Sequence, residues 1–82
     1  MSHRIAYTDE AKAGRGALDP KRRKDFDTGV AVLARAPYGC GSRAVKGDRD
    51  RRDATIGCVA VIRYEVSSGV LTITVLRVVP AP

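Results

Sequence analysis

The side chains able to do chemistry in this sequence are mostly cationic. Lys and Arg number 15 against nine Asp and Glu, a net charge of +6 over 82 residues. Histidine occurs once, as His3, so neither a Ser–His–Asp nor a Cys–His set can be assembled. Cys40 and Cys58 carry no CxxC or His-spaced zinc pattern, and no metal or other cofactor is implied. No glycine pattern follows a strand and opens a helix as a nucleotide fold requires. What remains is Arg, Lys and Tyr. Arg forks bidentately onto phosphate oxygens and Lys acts as a point charge. Both can stabilise the charge that develops in phosphoryl transfer. A basic excess in so small a chain points to an anionic partner, nucleic acid first.

The cations fall in two clusters. Arg43, Lys46, Arg49, Arg51 and Arg52 are interleaved with Asp48, Asp50 and Asp53, which reduce their net field. Lys21-Arg22-Arg23-Lys24 opens a helix, where the dipole disfavours cations. That run reads either as a solvated helix face or as a patch kept for an anionic surface. Metal-free RNA cleavage needs the 2′-hydroxyl activated, the phosphorane stabilised and the leaving oxygen protonated. Without a usable histidine, a Lys or Tyr of perturbed pKa must move the protons.

The element that must carry these groups is the stretch from Val59 to Val79. Ile62, Tyr64 and Val66 alternate with Val61, Arg63 and Glu65, and Leu71, Ile73 and Val75 alternate with Thr72 and Thr74. This is the period-two pattern of half-buried strands. Ser67-Ser68-Gly69 supplies the turn. A two-residue Ser68-Gly69 loop predicts Val66 opposite Leu71, Tyr64 opposite Ile73 and Ile62 opposite Val75. Every apolar residue then meets an apolar partner, whereas an odd-length loop sets Leu71 against Glu65. Arg63 opposes Thr74, and Glu65 opposes Thr72, on the wetter face.

Earlier in the chain, His3 to Thr8 reads as a short edge strand. Thr8 or Asp9 caps a weak helix to Ala17, in which Gly14 and Gly16 are unfavourable. Asp19 and Pro20 open a second helix with Phe26, Val30, Leu33 and Ala34 on one stripe, ended by Pro37. Pro37 to Ser42 is loop, and Asp50 to Ile56 is the second strand. The prediction is a single α+β domain over residues 1–82, in the order β-α-α-β-β-β, with two helices packed on one face of a small, mostly antiparallel sheet. The expected core is Phe26, Val30, Leu33, Ile62, Tyr64, Leu71, Ile73 and Val75. The expected bare face carries Arg63, Glu65, Thr72 and Thr74 beside basic loops, as a shallow cationic trough. A chain this short buries only about 60% of its unfolded surface, so function belongs on an open face. No membrane span or signal-peptide core occurs, which implies a cytoplasmic protein with two reduced thiols and Cys58 partly buried at a strand start.

The order of elements, Ala44-Val45-Lys46-Gly47 ahead of a basic strand, and Val61-Ile62-Arg63-Tyr64-Glu65-Val66 leading through Gly69 to Val70–Val78 resemble the RelE/ParE superfamily of type II toxin–antitoxin toxins. The resemblance spans nearly the whole chain. It implies a toxin neutralised by an antitoxin, whose acidic amphipathic segment would lie against the basic trough. RelE-like members cleave mRNA on the ribosome; ParE-like members instead poison DNA gyrase; a basic RNA- or antitoxin-binding module that has lost toxicity is the third reading left open. On the RelE side the resemblance implies catalytic roles for Arg63, Lys46 and Arg52. It implies RNA-binding roles for Arg43, Lys46, Arg49, Arg51, Arg52, Arg63 and Arg77. The family's third-strand Arg falls at Val61, and Arg63 shares its parity about 6–7 Å along the strand. Arg77 matches an Arg of the last strand, though alternation places it with the buried set. The family continues past that strand with a basic, Tyr-containing tail. This chain stops at Pro82, which leaves proton transfer to Tyr38 or to Tyr64, whose register points it into the core.

Overall fold

The computed structural model describes residues 3–39 and 41–81. Strand β1 (Arg4–Tyr7) leads into helices α1 (Asp9–Gly16) and α2 (Pro20–Arg35). Four strands follow: β2 (Ser42–Val45), β3 (Asp48–Ile56), β4 (Ala60–Ser67) and β5 (Thr72–Pro80), with a 3-10 turn at Ser68–Val70. The five-stranded sheet has the order β1-β5-β4-β3-β2, antiparallel except where β1 lies parallel to β5.

Both helices begin where their caps dictate. The Thr8 hydroxyl accepts the Ala11 N–H at 3.1 Å and donates to the Leu76 carbonyl at 2.8 Å, tying α1 to β5. The Asp19 carboxylate accepts the Arg22 N–H at 2.8 Å, and Pro20 occupies the first turn. Gly14, unfavourable as a helix former, is needed for packing. A Cβ there would lie 2.5 Å from the Val78 carbonyl oxygen. In the run at the start of α2, Arg23 donates to the Gly16 and Leu18 carbonyls and so closes the end of α1.

The helices cover one face of the sheet. Phe26, Val30, Leu33 and Ala34 of α2 and Ala11 of α1 join Ala54, Ile56, Ile62, Tyr64, Val66, Ile73, Val75 and Val78 in one buried cluster. The Tyr64 hydroxyl donates to the Pro37 carbonyl.

The α+β class and the one-sided cover match expectation; four details differ. The sheet has one strand more, because the expected loop and the basic cluster contain a hairpin, β2–β3. Its two turn residues, Lys46 and Gly47, both have positive φ (46° and 81°), as the right-handed twist of a tight hairpin demands. The β4–β5 register is two residues longer than a Ser68-Gly69 loop allows: Val66 opposes Ile73 and Tyr64 opposes Val75. An even shift keeps every side chain on its face, which is why alternation alone did not expose it. Leu71 consequently leaves the sheet, takes φ 49° and is 46% exposed rather than in the core. Glu65 then opposes Thr74, and Arg63 opposes Arg77.

The third difference is a bulge. Arg63 pairs with Arg77 and Tyr64 with Val75, which leaves Leu76 without an opposite number. Alternation flips there, so Val78 is buried and Arg77 turns out, not in. Last, Cys58 sits in the Gly57–Val59 turn and is exposed, since a reversal this tight cannot fold its second residue beneath the sheet. Cys40 lies outside the described residues.

Candidate nucleic-acid interface

The strand registers place one row of charge across the uncovered face. Arg43 on β2 opposes Asp53 on β3, Asp53 opposes Arg63 on β4, and Arg63 opposes Arg77 on β5. A second row runs Arg51, Glu65, Thr74. On the other side of the first row lie Thr55, Val61 and Val79, the last two exposed. Val61, at the position where the resemblance puts a third-strand Arg, therefore does face outward beside Arg63.

The ionic contacts are ordered. Asp53 accepts from Arg63 through both oxygens, at 2.8 Å from Nε and 3.1 Å from Nη2. Arg51 Nη2 reaches Glu65 at 3.1 Å. Arg77 Nε lies 4.0 Å from the Glu10 carboxylate, beyond hydrogen-bond length. The hydrogen bonds from Arg63 hold the Asp53 carboxyl below the usual carboxylate range, against the opposing effect of its partial desolvation, with Arg63, Arg43 and Arg77 adding Coulombic pull. Glu65 takes the open-face position expected of it, while Asp53, which the sequence presents only as a diluent of the basic run, stands at the centre of the row. The alternation of Arg with Asp through residues 48–53 was the signal that could have found Asp53.

The residues singled out from the sequence do not all meet. Arg43, Arg51, Arg63 and Arg77 share the open face. Arg52 opposes Tyr64, so its strand position faces the helices, and the sheet separates it from Arg63. Its guanidinium stacks 5.5 Å from the Tyr38 ring centre, and that of Arg49 stacks at 4.9 Å. Arg52 also donates to the Ser42 hydroxyl at 3.0 Å and to the Arg49 carbonyl at 2.9 Å, while the Tyr38 hydroxyl donates to Asp50 at 2.6 Å. Lys46 stands exposed at the tip of the β2–β3 hairpin.

No tyrosine joins Arg63. Tyr64 is sealed in the core, Tyr38 packs with Arg52, and Tyr7 pairs with Val75 on the helix side, where burial raises its phenol pKa. The open face thus offers guanidinium groups that can fix and neutralise phosphates, with carboxylates as its titratable groups. Among the described residues no cluster of three or more His, Cys, Asp or Glu could hold a metal ion, and no helix is long and apolar enough to cross a membrane.

No family model and no curated protein matches the sequence. Solved structures do match in shape. A chain of the RelBE2 toxin–antitoxin complex of Mycobacterium tuberculosis superposes with a TM-score of 0.79 at 18% identity, over 98% of this chain and 99% of that one. The isolated RelE toxin of Escherichia coli gives 0.81 at 13% identity, over 99% and 86%. A YoeB/ParE toxin from Agrobacterium tumefaciens gives 0.74 at 16%, over 96% and 99%. The fold is the RelE toxin fold. The likeness read from the hairpin sequence holds at that level, including the open sheet. At these identities the RelE fold is what is shared.

Proposed function

We propose that this protein is the toxin of a type II toxin–antitoxin pair, a RelE-like mRNA endoribonuclease that acts on the ribosome and binds RNA phosphates with its open sheet face. The row Arg43–Asp53–Arg63–Arg77 on the uncovered side of a RelE fold carries the reading. Arg63 and Arg77 hold the phosphate at the reacting position, Arg43 and Arg51 the flanking backbone, and Lys46 extends the positive track to the hairpin tip, while Arg49 stacks with Arg52 on Tyr38. Arg52 acts from behind by fixing the hairpin through Ser42 and Tyr38, so its role here is to position. The antitoxin is an acidic, amphipathic segment whose carboxylates meet these cations.

A second reading has its own support. The tyrosines lie away from Arg63, and an enzyme without a proton carrier at its phosphate site is a weak nuclease. That favours a ParE-like inhibitor of DNA gyrase that works by binding alone. Induced expression in a bacterial host separates the two. Arrested translation with transcripts cut at mapped sites is expected. An SOS response with intact transcripts would replace the first reading with the second, and normal growth would remove both.

A further inference from the structure

The centre of the open face already holds an anion. Asp53 grips Arg63 through two parallel hydrogen bonds, 2.8 and 3.1 Å, the mode in which two phosphate oxygens would bind the same fork. A guanidinium has five N–H groups. Asp53 takes the Nε–H and one on Nη2, and a phosphate cannot use that edge while the carboxylate is there.

Asp53 also has somewhere to go. It stands directly opposite Arg63 on one side and Arg43 on the other. Directly opposed residues have Cβ atoms about 4.5–5.5 Å apart, so a rotamer change carries a carboxylate from one neighbour to the other. Among the described residues Arg43 has no hydrogen-bonded side-chain partner, and its charge already acts on Asp53. Arg77, across from Arg63, lies 4.0 Å from its nearest carboxylate, so its donors are open to a ligand.

We propose that Asp53 is a resident substitute for phosphate: it holds the Arg63 fork in the free protein and passes to Arg43 when a phosphodiester settles between Arg63 and Arg77. The charge of Asp53 then sets how tightly the face binds RNA. The carboxylate prevents three neighbouring guanidinium groups from forming an uncompensated row that would seize any polyanion. This rests on the phosphate-binding reading of the open face and adds to it a positioning residue that restrains affinity.

The test is equilibrium binding of a short single-stranded RNA to four purified proteins: wild type, Asp53→Asn, Arg63→Ala and the double variant. Asn keeps an oxygen for Arg63 and removes the charge. Asp53→Asn is expected to bind about three- to tenfold tighter, since it both removes one unit charge at roughly 6 Å and frees the Arg63 fork from its ion pair. Arg63→Ala is expected to bind more weakly, and Asp53→Asn to bring a smaller gain in its background, from charge alone. An equal gain without Arg63 would reduce the effect to net charge and overturn the exchange, as would wild-type affinity in Asp53→Asn. Arg63→Ala binding like wild type would instead overturn the phosphate-binding reading. Titration with inorganic phosphate, followed at the Arg63 Nε–H resonance, tests the exchange without RNA: half-saturation at equal phosphate in wild type and Asp53→Asn would end it. Asp53→Ser serves as the second variant if thermal melts show that Asn perturbs folding.

Discussion

Arg63 and Arg77 face each other directly across β4 and β5, both on the uncovered side of the sheet. Opposed like charges are unfavourable in a sheet, and among the described residues the carboxylate within hydrogen-bonding reach of the pair, that of Asp53, bonds Arg63. A strand pair selected for stability alone would not be built this way. Arg77→Thr is therefore expected to raise the urea midpoint, by about 0.2–1 kcal/mol of stability, while weakening RNA binding. Chemical denaturation and an RNA titration on the same preparation check both signs. A variant that is less stable than wild type would show that Arg77 supports the fold.

The bulge at Leu76 creates that pair. Deleting Leu76 removes the unopposed residue, so Arg77 follows Val75 directly, still opposite Arg63 on the open face, and Val78 stays beneath the helices. It also displaces the carbonyl that accepts the Thr8 hydroxyl. Losing that hydrogen bond costs about 0.5–1.5 kcal/mol. The deletion is expected to lower the thermal midpoint by circular dichroism while unfolding stays cooperative, whereas Leu76→Ala, which keeps that carbonyl in place, is expected to stay closer to wild type; a deletion variant that no longer unfolds cooperatively would show that the bulge itself is needed for the fold.

Two glycines of α1 should respond with opposite signs. At Gly14 a Cβ would meet the Val78 carbonyl oxygen at 2.5 Å and Val78 Cβ at 2.9 Å, both part of the sheet and unable to yield cheaply. Gly14→Ala is expected to cost about 1–3 kcal/mol by overpacking. Nothing lies within 4 Å of a Cβ at Gly16. There the alanine only restricts the unfolded chain, and a gain of about 0.4–1 kcal/mol is expected. Urea titrations of the two variants beside wild type decide it.

The same contrast shows what the sequence could reveal. Caps, the α2 stripe and the alternating hairpin were legible because each is a local pattern with a local cause: Asp19 before Pro20, and Phe26 to Ala34 at helical spacing. The open placement of Arg63 followed from parity alone. The hidden features depend on a second strand. An even register shift leaves parity untouched, so Leu71 read as core. A bulge is defined only by its partner, so Arg77 read as buried. Strand β2 is four residues beside a turn formed by a lysine with positive φ, a conformation its sequence does not announce. Asp53 looked like dilution of a basic run, and only the pairing of β3 with β2 and β4 sets it between Arg43 and Arg63.

Acid should test the ion pair that joins the helices. Asp27 accepts from Arg15 Nε at 2.8 Å and Nη2 at 2.6 Å, and these bonds hold its carboxyl below the ordinary range despite some desolvation. A carboxyl whose pKa is lower when folded stabilises the protein above its unfolded value, about 3.9. That contribution disappears as pH falls through the folded value. Both side chains are well exposed, so the effect is small, below about 1 kcal/mol, and salt weakens it. Asp27→Asn is expected to melt slightly lower than wild type at neutral pH and to converge with it in the acid limb. Parallel melts at low and high salt, from neutral pH to below 3.9, measure this.

The tyrosines decide how much chemistry the open face can do. Tyr64 is completely buried, and its hydroxyl meets the Pro37 carbonyl at the end of α2. Tyr64→Phe leaves that carbonyl unpaired in the core and is expected to cost about 1–3 kcal/mol, with growth arrest preserved wherever the protein stays folded. Tyr38→Phe removes the bond to Asp50 but keeps the ring beneath Arg49 and Arg52, so the hairpin should hold its place. If neither hydroxyl moves a proton, both variants cut or bind as wild type does once their stability is accounted for, while Arg63→Ala alone loses toxicity. Scoring growth arrest and transcript cleavage for the three variants, with soluble protein quantified in each, separates a role in proton transfer from a role in the fold. Loss of cleavage in Tyr38→Phe at wild-type abundance would place the reaction at the β2–β3 edge, on the far side of the sheet from Arg63.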